Sequence, residues 1–243
     1  MIFMELIEID NKYFLYKQVN NICFVITTAN SEFGIHPNLK NYNKNINFIK
    51  KKFDLHDVFV ASQIHGSTVV ECDKNFSSGI EADGLITQER NYGIGVFTAD
   101  CVPIFLFDSQ KYIVSILHSG WKGTYNEITV NAINIFLEKY YSNINDIVIY
   151  IGPHNKVCCY EIGEELKRKF SEHYKFKQNN NIFNGNNLNL LECIKTSVLN
   201  CNIPLENINV IDYCVHCSND VKFYSYRKDP KSLNRIFSFI FIK

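Results

Sequence analysis

The stretch GIGVFTADCVPIFLFDSQKYIVSILHSGWKGT, residues 93–124, constrains this chain more than any other. Its runs GIGVFTA (93–99) and YIVSILH (112–118) are rich in Val, Ile and Phe and are bounded by Gly, Asp and Ser. That pattern predicts two buried strands. The first run leads into Cys101 and the second ends on His118. A reactive side chain where a buried strand runs out has its backbone fixed by the sheet and its tip open to the loops. Directly after His118, Ser-Gly-Trp-Lys-Gly-Thr precedes a helical pattern, and a glycine-rich turn opening a helix leaves backbone N–H groups for an anion. A third run, VFVASQIHG (58–66), delivers His65. His65, Cys101 and His118 together would make a two-nitrogen, one-sulfur site with an open fourth position, the ligand count of catalytic zinc. Their spacing matches no local zinc-finger pattern, so from spacing alone a buried thiol and two hydrogen-bonded histidines are the more ordinary reading of the same residues.

The 243 residues carry zero formal net charge and 46% hydrophobic residues. Such a chain can bury a substantial core, and the expectation is a single domain over residues 1–243. Balanced charge offers no basic face for nucleic acid or a membrane surface. The longest apolar runs are shorter than a membrane span. MIFMELIEID has neither the basic opening nor the long apolar region of a secretory signal, so a cytoplasmic location is expected. The nine cysteines then read as reduced thiols, buried or metal-bound, rather than disulfides.

In chain order, residues 2–9, 12–17 and 22–28 are predicted strands of a meander, 27–45 irregular and 46–53 a short helix. Residues 57–64 form the strand before His65, and 68–72 another. Residues 125–141 repeat apolar positions at three- and four-residue spacing, one face of an amphipathic helix. DIVIYIGP (146–153) is a strand stopped by Gly-Pro. A second helix is expected within 158–174, with its first turn acidic, and a third over 188–200. Strands are predicted at 208–213, 221–226 and 235–242. Strands and helices mix without strict alternation, which predicts an α+β fold with mixed sheets.

Other residues carry candidate chemistry. Asp83 and Asp100 are loop acids able to orient a metal ligand or take a proton, or simply to form turns. Lys122, Arg227 and Arg235 are candidate phosphate ligands, with an ordinary surface charge as the alternative. Arg227 is favoured because FYSYR alternates like a strand and would end on it. Trp121 can stack on a flat ligand or fill core. Cys214 and Cys217 form a single C-x-x-C, and Cys158 and Cys159 are adjacent; structural or incidental thiols are the expectation for these.

QIHG (63–66), ADG (82–84), TADC (98–101), HSGWKG (118–123), IGP followed by CCYEIG (151–163) and FYSYRKD (223–229) together resemble the YfiH-type family. That family was formerly described as laccase-like multicopper polyphenol oxidases and is now described as purine nucleoside phosphorylases. The resemblance runs from about residue 60 onward. It implies zinc held by His65, Cys101 and His118, and a fold similar to the catalytic domain of cytotoxic necrotizing factor. It also implies phosphorolysis of adenosine or inosine, with adenosine deaminase and methylthioadenosine phosphorylase side activities. Purine nucleoside and phosphate would be the partners.

The chain departs from the family in places. TTANSEFGIHPNL (27–39) lacks the Arg and Gly-Gly turn that many relatives carry there, and Ser119, Lys122 and Lys228 stand where Ala, Arg and Arg are common. A lysine keeps charge but loses the bidentate fork.

Other readings stay open. In one, Cys101 is a nucleophile and His118 its base in a metal-free hydrolase acting on an amide or a peptidoglycan precursor, as the family's other name, peptidoglycan editing factor, implies. In another, zinc merely stabilises a binding module. Copper phenol oxidation fits poorly, because the seven histidines form no H-x-H pair. The H-x-E and P-C-x-x-C signature of familiar zinc deaminases is also absent.

Overall fold

In the computed structural model, which describes residues 4–30, 33–77 and 79–243, every residue of Ile236–Ile242 is buried and its side chains divide between two cores. Ile236, Ile240 and Ile242 face one, while Phe237, Phe239 and Phe241 face the other. A strand apolar on both faces must lie inside a layered molecule.

The strands in chain order are β1 (Glu5–Ile9), β2 (Lys12–Val19), β3 (Ile22–Thr27), β4 (Asp57–Val60), β5 (Val69–Glu71), β6 (Gly84–Thr87), β7 (Tyr92–Thr98), β8 (Val102–Asp108), β9 (Ile113–Ser119), β10 (Ile147–Ile151), β11 (Phe183–Asn184), β12 (Asn187–Leu188), β13 (Ile208–Val210) and β14 (Ile236–Ile242). The helices are α1 (Tyr42–Lys52), α2 (Trp121–Tyr125), α3 (Ile128–Glu138), α4 (Glu164–Glu172) and α5 (Leu190–Asn200).

One six-stranded sheet runs β1-β2-β3-β14-β7-β4, the other β13-β10-β8-β9-β6-β5. Both mix parallel with antiparallel pairs, β4 with β7 and β10 with β13 being parallel. The sheets face one another across a core that includes Phe24, Ile94, Phe105, Phe107 and Ile116. Beyond the first sheet, Ile46 and Ile49 of α1 pack on its phenylalanines. Beyond the second, α3 and α5 cover Ile104, Leu106 and Ile149. The α+β expectation with mixed sheets is met. No helix among the described residues is long and apolar enough to cross a membrane.

Several local expectations are corrected. Between the two strands read from residues 93–118 lies a further one, β8, hydrogen-bonded to β9 and β10. Pro103 disguises it, because proline lacks the ladder N–H. It sits at the second position, and its carbonyl accepts from Gly152 N–H at 2.8 Å. The helix expected over 125–141 is α3, shorter at both ends, and is separated from α2 at Glu127, whose φ of 61° is left-handed. The helix expected at 46–53 begins at Tyr42. Residues 221–226 join no sheet: Val221, Phe223 and Ser225 are buried in alternation, but the backbone bonds run to Ala29 and Asn30 rather than to a ladder. The ladder expected over 208–213 closes after Val210. Residues 2–3 of the predicted first strand lie outside the described residues.

Candidate active site

His118 is the sixth of seven residues in β9, buried to 3% exposure. Its Nδ1 lies 2.7 Å from Asp83 Oδ1. A carboxylate only accepts, so Nδ1 carries a proton and Nε2 is the nitrogen turned toward Cys101. The same carboxylate, at the entry to β6, accepts N–H bonds from Ile64 (3.2 Å), His65 (3.0 Å) and Gly66 (2.6 Å). Asp83 therefore orients one imidazole and anchors the turn that presents the other. That turn puts His65 at φ 59°, a conformation that needs such bracing. Gln63 adds a second brace, accepting from Phe97 N–H (2.7 Å) and donating to Phe97 O (2.8 Å). Cys101 arrives from the far end of β7, after Asp100 at φ 93°.

The ligand atoms of His65, Cys101 and His118 all lie within 4.8 Å of one another. The two rings meet edge to face with centroids 4.8 Å apart. Gly120 completes the packing: a Cβ there would stand 2.9 Å from Cys101 Sγ and 3.5 Å from His65 Cδ2. Gly120→Ala is therefore expected to push the thiol aside and weaken metal binding at least ~10-fold while the fold survives, checked by chelator competition alongside circular dichroism.

The charges are arranged around the thiol. Burial pushes Cys101 up, but the His118 charge and hydrogen bonds from His118 and His65 outweigh it and bring the thiol to about 6. For His118, burial lowers the pKa, and the Cys101 charge with the Asp83 bond raises it to about 9. Burial likewise raises Asp83, but the His118 and Gly66 bonds prevail and hold it below the usual carboxylate range. The protein atoms alone thus form a thiolate beside an imidazolium beside a carboxylate.

These side chains open onto a cleft of about 820 Å³, whose wall also carries Trp121, Arg227, Arg235 and Asp100. Arg227 lies 5.0 Å from the centroid of the Tyr160 ring. Arg235 is fixed by bonds to Ser232 O and Asn234 O, both 2.9 Å. Asp100 accepts from Ser225 Oγ (2.6 Å) and Arg227 N–H (2.8 Å), so it positions the arginine's backbone. Arg227 thus stands in a turn held by Asp100, not at a strand end. Lys122 is exposed, with its ammonium 5.6 Å from the Trp121 ring centroid, and does not line the cleft. The helix after the Ser-Gly-Trp turn has only five residues.

Sequence reasoning did not pick out His36, Tyr42, Tyr160 and Tyr226, which also line the cleft. His36 and Asn38 come from the stretch that lacks the relatives' arginine. His36 is held below its ordinary pKa by burial and by the Arg235 charge. Its Nδ1 accepts from Asn38 N–H at 3.3 Å, leaving Nε2 as the N–H donor.

A family model described as multi-copper polyphenol oxidoreductase laccase matches residues 24–243. A purine nucleoside phosphorylase of Clostridium acetobutylicum is 36% identical over 242 residues, covering 99% of this chain and all of that protein. A protein named adenosine deaminase, from an unknown prokaryote, is 29% identical over 203 residues, covering 78% and 77% of the two chains. Among solved structures, YlmD of Geobacillus stearothermophilus superimposes with a TM-score of 0.86 at 18% identity over 99% of both chains. A YfiH protein of Bacillus licheniformis does so at 0.86 and 23% over 96% of each. With the matched model spanning residues 24–243 and the Clostridium relative aligned over its whole length, the chain belongs to the YfiH-type family.

Proposed function

We propose that this protein is a purine nucleoside phosphorylase, converting adenosine or inosine with phosphate to free base and ribose 1-phosphate. One observation carries the reading: a single cleft gathers His65, Cys101 and His118 with two arginines and aromatic rings. The names of the relatives support the substrate class. Its volume suits a nucleoside with phosphate.

Two imidazoles and a thiolate converging on one point, with one imidazole's outer nitrogen tied to a carboxylate, are the donor set and outer bracing of a zinc site. Among the described residues the metal-competent clusters contain only two histidines, which argues against a copper cluster. His65, Cys101 and His118 would hold the ion, and a bound zinc supplies Lewis acidity at the cleft wall.

The remaining roles fall to the protein. Arg227 and Arg235 bind phosphate, their forks matching its oxygens. Trp121 and Tyr160 offer flat surfaces to the purine. A phosphate oxygen forms a bond to the anomeric carbon as the glycosidic bond breaks, and its electron pair leaves with the purine. Adenosine deamination and methylthioadenosine phosphorolysis are proposed side activities of the same cleft. Arg227→Lys is expected to raise the KM for phosphate about 10-fold with a smaller change in kcat, because the charge stays and the fork is lost.

The direct test incubates the metallated protein with adenosine or inosine plus phosphate and looks for ribose 1-phosphate and base by chromatography. No product from a fully metallated sample overturns the reading. One observation favours a second: Cys101 at about 6, His118 at about 9 and Asp83 line up as nucleophile, base and orienter of a Cys–His hydrolase. A chelator abolishes activity under the first reading and spares it under the second.

A further inference from the structure

Outside the cleft, four more thiols meet. Cys158 and Cys159 lie in the segment after β10, and Cys214 and Cys217 in the segment after β13. The parallel pairing of β10 with β13 sends both segments off the same end of the second sheet. Their alignment continues past the ladder in a bridge between His154 and Cys214, a bond from Val215 N–H to His154 O (3.0 Å) and an ion pair of Lys156 with Asp212.

All four Sγ atoms lie within 4.8 Å of one another, and Cys158 and Cys217 are 3.7 Å apart. A disulfide needs about 2.05 Å. Four sulfurs at ~2.3 Å from a tetrahedral ion stand ~3.8 Å from each other. The backbone N–H groups of Lys156, Cys217 and His216 reach the Cys214 sulfur, the pattern of outer donors that steadies a metal-bound thiolate. Cys214 is buried while Cys158 and Cys217 are exposed, so the cluster sits at the surface with its root in the protein.

We propose that Cys158, Cys159, Cys214 and Cys217 hold a zinc ion in a closed tetrathiolate site, distinct from the three-ligand set in the cleft. Four protein sulfurs leave no position for substrate, so the ion is structural. Its place gives it a task. Tyr160 follows Cys159 directly and lines the cleft, so the ion fastens that wall to the segment after β13.

The test is a metal count on the full chain, purified under reductant from zinc-supplemented medium. Two zinc equivalents are expected for the wild type, one for Cys217→Ser, one for His65→Ala and none for the double variant. Cobalt exchanged into His65→Ala is expected to give the intense visible bands of tetrahedral thiolate ligation, and Cys201→Ser, outside the cluster, to keep both equivalents. A chelator is expected to lower the Tm of His65→Ala but not of the double variant.

A single equivalent in both wild type and Cys217→Ser overturns the proposal. So does iron in place of zinc, or a disulfide among the four cysteines found by peptide mass mapping. Because His65→Ala reports on the cluster alone, failure here and failure of the phosphorylase reading are distinguishable.

Discussion

Asp83→Asn is expected to lower stability by about 3 kcal/mol and metal affinity by 10–100-fold. Four donors converge on this one carboxylate: His118 Nδ1 and the N–H groups of Ile64, His65 and Gly66. The group is 1% exposed, so water cannot replace any of them. An amide turns one acceptor oxygen into a donor facing donors, and buried groups left unpaired bear the full desolvation penalty. His118 also loses the anion that holds Nδ1 as the donor, so Nε2 is no longer reliably the nitrogen presented toward Cys101.

The pH dependence gives a separate signature. The folded carboxyl is held below its ordinary value of ~3.9, so its contribution is complete above that value and is lost as pH falls through the lower, folded pKa. Urea midpoints measured downward from neutral pH are expected to show that acid step in the wild type and not in the variant.

Cys101→Ser is expected to cut turnover on the order of 10³-fold and to remove the cleft's metal. A serine hydroxyl is nearly the same size but is neither a soft ligand nor an anion near neutrality. The thiol's position is fixed by strand ends and by Gly120, so no neighbouring donor takes over. Metal content and turnover measured on one preparation check the expectation. Activity that survives both the substitution and chelation removes Cys101 and the metal from the chemistry altogether.

What could be read beforehand follows a physical rule. His65, Cys101 and His118 each follow an apolar run, and a strand end is a local signal. Asp83 announced itself as a loop acid, but its four partners come from segments far apart in sequence. The missed strand β8 shows the limit of periodicity: Val102, Ile104 and Leu106 serve one core and Phe105 and Phe107 the other, so no polar alternation marks it.

The four-cysteine cluster was illegible for a different reason. Only the β10–β13 pairing brings Cys158 beside Cys217. Arg235 reaches the cleft as its sequence position suggested, but Lys122 does not, because a charge beside a motif need not face the cavity and its direction is set by a helix of five residues. The burial alternation at 221–226 was genuine, yet a ladder needs a partner strand as well as a pattern.

The placement of β14 between β3 and β7 bears on how the molecule is made. During synthesis the amino-terminal meander and the β4–β7 pair emerge long before residues 236–242, and until then two inner edges stay open to unwanted partners. Arg227 and Arg235 sit just upstream of that strand, so the arginine-bearing side of the cleft is assembled in the same late event that closes the sheet.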